Sequence, residues 1–164
     1  MSSSLEILQN KIFDLDRLGQ QLNRWRFFSK KIVFTNGCFD ILHLGHVDYL
    51  AKAADEGDVL IVGVNSDKST TGLKGPKRPI NGENQRTTLL ASLQFIDAVI
   101  LFDQPTPIEL IKFIQPDVLV KGGDYTLDKI AGAKEIINNG GEVKIIPIVQ
   151  GFSTTSILQK LKNN

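Results

Sequence analysis

The sequence predicts an α/β fold: one doubly wound domain around a five-stranded parallel sheet, preceded by an amphipathic helix. Three observations predict it. From Lys31 onward, short β-branched runs alternate with segments whose apolar residues recur at helical spacing. The runs are apolar at nearly every position, as strands covered on both faces must be. The segments between them are long enough to serve as crossovers between parallel strands. Such a Rossmann-like sheet binds its ligands at the carboxyl ends of its strands.

Taken in order, Leu5, Leu8, Ile12, Leu15, Leu18, Leu22 and Trp25 fall at steps of three and four. They predict a single amphipathic helix from about Leu5 to Phe28, so that residues 1–28 cap the domain or meet a second subunit and residues 29–164 form the domain proper. Strands are expected over Lys31–Thr35, Val59–Asn65, Ala98–Phe102, Val118–Lys121 and Val143–Ile146. Helices are expected over Leu44–Glu56, Glu83–Phe95, Pro107–Gln115, a short stretch within Leu127–Asn139, and Thr154–Leu161. Gly57 and Gly140-Gly141 stand where helices should stop. Ser66–Gly82 interrupts the alternation with a Gly/Pro-rich loop carrying Lys68, Lys74, Lys77 and Arg78. It reads as a flexible lid over phosphates or as an ordinary solvated basic loop.

Bulk properties narrow the function. A chain of 164 residues, 41% hydrophobic and 23% charged, supports one ordinary core. A net charge of +1 gives no general attraction to polyanions, so no nucleic-acid partner is expected. No apolar stretch approaches the roughly 20 residues needed to span a bilayer. The segment from Met1 to Glu6 lacks a basic region followed by an apolar one, and the single cysteine forms no intrachain disulfide. A cytoplasmic protein without membrane partners is the expectation.

The chemistry begins at His43-Leu44-Gly45-His46, which follows the run ending in Asn36 and the turn residue Gly37. Two imidazoles three residues apart thus open a helix at the end of a strand, where free N–H groups attract phosphate. Gly45 lets phosphate approach the backbone. Zinc is the rival reading, but the chain has only two histidines and one cysteine, Cys38, so no metal site is assigned. Glu83-Asn84-Gln85-Arg86 opens another helix, with Asn81 as a candidate cap; Arg86 is suited to phosphate or to a surface pair with Glu83. Val118 to Tyr125 runs strand, then Lys121, Gly122, Gly123 and Asp124, a turn over a ligand or a plain Gly-Gly-Asp turn. Ser153-Thr154-Thr155 opens the last helix as an ordinary N-cap or as a second phosphate grip.

The string Thr35-Asn36-Gly37-Cys38-Phe39-Asp40-Ile41-Leu42-His43-Leu44-Gly45-His46 resembles the cytidylyltransferase-like branch of the nucleotidyltransferase superfamily. With the Lys74, Arg86, Lys121–Asp124 and Ser153–Thr155 motifs in order, the chain resembles in particular the adenylyltransferases of bacterial ADP-heptose synthesis, in their stand-alone form. The resemblance implies transfer of AMP from ATP to D-glycero-β-D-manno-heptose 1-phosphate, with Mg²⁺ carried by the nucleotide. It also implies a homodimer.

It implies that His43, His46, Lys74, Arg86 and Lys121 are catalytic, with His46 nearest the α-phosphate. Cys38, Phe39, Asp40, Gly45, Gly123, Asp124, Ser153, Thr154 and Thr155 would hold the nucleotide, and Asn65, Asp67 and Arg78 the second substrate. Asp40 would orient a histidine or the loop. Relatives acting on glycerol phosphate carry an arginine shortly before the Ser-Thr-Thr segment, where this chain has Pro147-Ile148-Val149-Gln150. The alternatives are a cytidylyltransferase for a small alcohol phosphate such as glycerol 3-phosphate, a nucleotide-sensing module without chemistry, and a scaffold acting through the N-terminal helix.

Overall fold

The computed structural model describes residues 3–123, 125–149 and 151–162. The chain opens with α1 (Ser4–Asn10), β1 (Ile12–Phe13) and α2 (Leu15–Phe27). There follow β2 (Ile32–Gly37), α3 (Leu44–Ala54), β3 (Val59–Asn65), α4 (Asp67–Lys74), α5 (Glu83–Ala91), β4 (Ala98–Phe102) and α6 (Ile108–Ile114). It closes with β5 (Val118–Gly122), a 3-10 turn (Leu127–Lys129), α7 (Ala133–Asn138), β6 (Glu142–Ile146) and α8 (Thr154–Lys162). The sheet order is β1-β4-β3-β2-β5-β6, and every pairing is parallel.

Alternation of side chains along each strand builds two apolar layers. Ile32, Phe34, Ile61, Ile100 and Leu119 point into one, against Leu18 and Leu22 of α2 and Ile111 and Ile114 of α6. Val33, Leu60, Val62, Val99 and Val120 point into the other, against Leu50 and Ala53 of α3 and Leu90 of α5. All of these are essentially inaccessible to water, which is why the strands lack a polar face. An aspartate stands before β3, β4 and β5 and accepts an N–H from the start of a neighbouring strand. Asp58 takes that of Lys31 at 2.8 Å, Asp97 that of Leu60 at 2.8 Å and Asp117 that of Ile32 at 2.7 Å. These carboxylates satisfy backbone donors that the first turn of each strand would otherwise leave open.

Three expectations are corrected. The sheet has six strands, not five, and the single N-terminal helix is two helices separated by β1. Ile12 and Phe13 pair with Val99 and Ile100 on the open edge of β4, and Val99 donates to the Lys11 carbonyl at 2.8 Å. Ser3 and Glu6 form a capping box on α1, and Asp14 caps α2 through the Arg17 amide at 2.8 Å. Apolar residues at steps of three and four run through the break, so periodicity alone hides it. Leu18 and Leu22 sit in the main core, whereas α1 buries no residue. The segment Ser66–Gly82 is likewise not one long loop. Ser66 caps α4 by accepting the Ser69 amide at 3.1 Å, and only residues 75–82 remain irregular.

Candidate active site

After β2 the chain lays β3 and β4 on one side, then returns to lay β5 and β6 on the other. The carboxyl ends of β2 and β5 therefore diverge at a switch point, and a cleft of ≈ 440 Å³ opens there. A larger hollow of ≈ 580 Å³ lies at the opposite, amino-terminal edge, beside Asp117 and Gly141. The imidazoles and the lysines Lys74 and Lys121 converge only on the smaller one, so chemistry rather than size identifies the site.

The turn after β2 carries Phe39 at φ 46°, and His43 then takes the extended N-cap conformation that starts α3. One turn on, His46 returns beneath it, and the two rings stack with centroids 3.8 Å apart and planes 21° apart. Phe39 meets the His46 ring edge-on at 5.3 Å. A Cβ on Gly45 would lie 3.2 Å from the His43 ring and 3.3 Å from Phe152 Cβ, so the absent side chain makes room for the stack. Among the described residues, neither of the two buried Nδ1 atoms finds a hydrogen-bond partner. Burial pushes the His43 pKa below its ordinary value. It pushes that of His46 down to about 4, helped by the positive charges of His43 and Lys74 and opposed by the Ile41 carbonyl. Neutral imidazoles each present one N–H to an anion.

Lys121 enters from the end of β5. Its ammonium donates to the Asn36 side-chain oxygen at 3.0 Å and to the Asn36 carbonyl at 3.4 Å. Burial lowers its pKa, and Cys38 pulls the other way. Lys74 reaches the cleft from the last turn of α4. Ser153, Thr154 and Thr155 line the far side at the start of α8, where the Ser153 hydroxyl accepts the Ser156 amide at 3.0 Å. Cys38, Phe39 and Gly45 also line the cleft.

Other expected residues lie around the cleft rather than on it. Gly123 (φ 117°) turns the chain away from β5 and donates to the Ile146 carbonyl at 3.0 Å; Asp124 lies outside the described residues. Asp40 is buried and accepts the Ile80 amide at 2.7 Å, the Asn81 amide at 3.0 Å and the Arg78 guanidinium. Burial works against its charge, but these donors outweigh it and hold the carboxyl below its usual range. Arg78 is thus bound to Asp40, and Asn81 binds Asp40 instead of capping α5, which starts from Gly82. Asn65 is buried against Ser69 at 3.0 Å, and Asp67 pairs with Arg86 at 2.9 Å. Arg86 itself is fully buried behind the cleft wall. Asn36, Tyr49, Tyr125, Ile148 and Phe152 line the cleft without having been singled out in the sequence. Asn36, a polar residue near the carboxyl end of the mostly apolar strand β2, carried the one signal that could have found it.

Residues 34–160, from β2 to α8 and so including every element of the cleft, match the family described as Cytidylyltransferase-like. The chain is 48% identical to Bifunctional protein HldE of Koribacter versatilis over 97% of its own length and 33% of that protein's. It is 54% identical to Bifunctional protein HldE of Campylobacter jejuni subsp. doylei over 82% of its length and 28% of that protein's. It thus spans about a third of the curated relatives it matches. Among solved structures it resembles the lipopolysaccharide core biosynthesis protein from Thermoplasma volcanium, with TM-score 0.59 and 35% identity over 73% of this chain and 97% of that one. The fold also matches pantoate-beta-alanine ligase from Francisella tularensis, with TM-score 0.62 and 17% identity over 92% and 76% of the two chains. With the paired imidazoles at the switch point and this match along the whole cleft, the chain belongs to the cytidylyltransferase-like family of nucleotidyltransferases.

Proposed function

We propose that the chain transfers AMP from ATP to D-glycero-β-D-manno-heptose 1-phosphate, giving ADP-heptose and pyrophosphate for lipopolysaccharide core or other surface glycans. The observation that carries this reading is the convergence of His43, His46, Lys74, Lys121 and Ser153–Thr155 on one cleft at the sheet's switch point. The choice of acceptor is supported by similarity to the HldE proteins and to the lipopolysaccharide core biosynthesis protein.

The acceptor phosphate is already an anion. One of its oxygens attacks the α-phosphorus in line, and the bond from that phosphorus to the bridging oxygen breaks. Pyrophosphate leaves with the electron pair, so no general base is required. The protein's work is placement and charge stabilisation. His46 and His43 donate N–H groups to the triphosphate, His46 beside the α-phosphate. Lys74 and Lys121 offset charge on the leaving pyrophosphate or the incoming sugar phosphate, and the starts of α3 and α8 face the anion from two sides. The substrate is the magnesium complex of ATP. The side chains that converge on the phosphates are imidazoles, ammonium groups and hydroxyls, a set that fits the metal-bound phosphates and not a resident Mg²⁺. A homodimer in the cytoplasm goes with this reading, and no helix among the described residues is long and apolar enough to cross a membrane.

The test is pyrophosphate release with ATP and with CTP, each offered the heptose 1-phosphate and glycerol 3-phosphate. Release confined to ATP with the heptose phosphate is expected. Release with CTP and glycerol phosphate would replace both named substrates.

A further inference from the structure

Arg86 spends its whole guanidinium inside the protein. Nε donates to the Asn81 carbonyl at 3.0 Å, one terminal nitrogen donates to the Cys38 carbonyl, and the other meets the Asp67 carboxylate at 2.9 Å. Its side chain is 0% exposed. A guanidinium so buried reaches a phosphate only by leaving these partners: the Asn81 and Cys38 carbonyls would lose its N–H groups, while the half-exposed Asp67 carboxylate would turn to water.

The partners share a location. Cys38 belongs to the turn that leaves β2, and Asn81 to the strap that leads into α5. Asp40 joins the same turn to the same strap through Ile80 and Asn81. Phe39 lies between these two anchor points, buried, in the left-handed region, with its ring edge-on to His46. A Cβ on Gly37 would come within 3.0 Å of the Phe39 ring, so that ring is held from behind as well.

Resting on the nucleotidyl-transfer reading above, we propose that Arg86 is a positioning residue. By holding the Cys38 carbonyl it sets the Phe39 ring, and through that ring the His46 imidazole, without touching the nucleotide. The residues facing His46 are otherwise His43 on its own helix and Lys74 from α4, with Lys121 across the cleft. Neither lysine is bonded to Arg86, so its replacement leaves their charges in place.

The chain has two histidines, so each can be followed by NMR in the free protein, independently of any substrate. In Arg86→Lys, kcat for pyrophosphate release should fall about 30-fold while the KM for ATP stays within about twofold. The His46 titration should move up from about 4 towards its ordinary value as the ring loses its packing. Phe39→Leu should do the same, and the double variant should cost little more than the worse single one, because both act on one path.

A raised KM for ATP with unchanged kcat and an unmoved His46 would make Arg86 a direct phosphate ligand and overturn the proposal. If Arg86→Lys does not fold, Phe39→Leu decides: unaltered kcat and His46 titration sink the relay. If the wild-type protein releases no pyrophosphate from any substrate pair, the reaction assignment fails while the His46 titration still judges the relay.

Discussion

The His43 and His46 rings lie face to face, 3.8 Å between centroids, each with a buried nitrogen that no described residue partners. Stacked imidazoles at this distance resist sharing two positive charges, and Lys74 adds a third nearby. The free cleft therefore disfavours charge on the pair, and on the proposed reading a bound polyphosphate would supply the counter-charge that lets one of them take up a proton.

This has a pH signature in stability. His46 titrates at about 4 in the folded chain, against 6.5 as its ordinary value. As pH falls from 6.5 towards 4 the unfolded chain binds a proton that the folded one refuses, so stability declines across that window and is complete above it. The loss from His46 is at most about 3 kcal/mol, and His43 adds in the same direction. Urea unfolding at pH 7, 5.5 and 4.5 should show the decline, and His46→Gln should flatten it. An equal slope in the variant would place the titrating group elsewhere.

His46→Ala should lower turnover by at least about 10²-fold, as removal of one preorganised donor does, while the thermal midpoint stays near that of the wild type. Turnover within a factor of a few of normal would take His46 out of the reaction.

Lys121 is held by two neutral oxygens of Asn36 and is penalised by its burial. Lys121→Met keeps the stem and removes the charge. The variant should be as stable as the wild type or slightly more so, because the buried ammonium is costly. Its kcat/KM should fall about 100-fold. A destabilised variant with normal kcat/KM would make Lys121 a structural cation.

Asp40 has a fully buried side chain that binds three donors. Asp40→Ala strands the Arg78 charge and two backbone amides, and should cost about 3 kcal/mol in urea unfolding. Asp40→Asn keeps an acceptor and should cost less. Equal, small costs would show that the strap is held by something other than this carboxylate.

Much of the architecture was legible from the residues. Val59–Asn65 and Ala98–Phe102 are strands over the expected spans because an unbroken apolar β-branched run bounded by turn residues has few other homes. The cleft residues that could be read were those whose position follows from local order: a histidine pair opening a helix, a lysine ending a strand, serine and threonines starting a helix. Arg86 could not be placed this way. Whether a first-turn arginine turns outward to phosphate or inward to a carbonyl depends on a turn 48 positions away. The break at Ile12–Phe13 is also a tertiary event, decided by the vacant edge of β4. In Ser66–Gly82, Gly72, Gly75 and two prolines masked a helix that Ser66 caps and Thr71 closes against the Arg78 carbonyl at 2.6 Å.

The two-residue strand β1 has a consequence out of proportion to its length. β4 reads Ala98-Val99-Ile100-Leu101-Phe102, wholly apolar, and without Ile12 and Phe13 its backbone would face solvent as a row of free donors and acceptors. Such an edge invites pairing with another chain. The N-terminal segment therefore guards the molecule against its own kind: clipping it before Asp14 would spare every cleft residue and yet leave an enzyme prone to stick, sheet to sheet, to its copies.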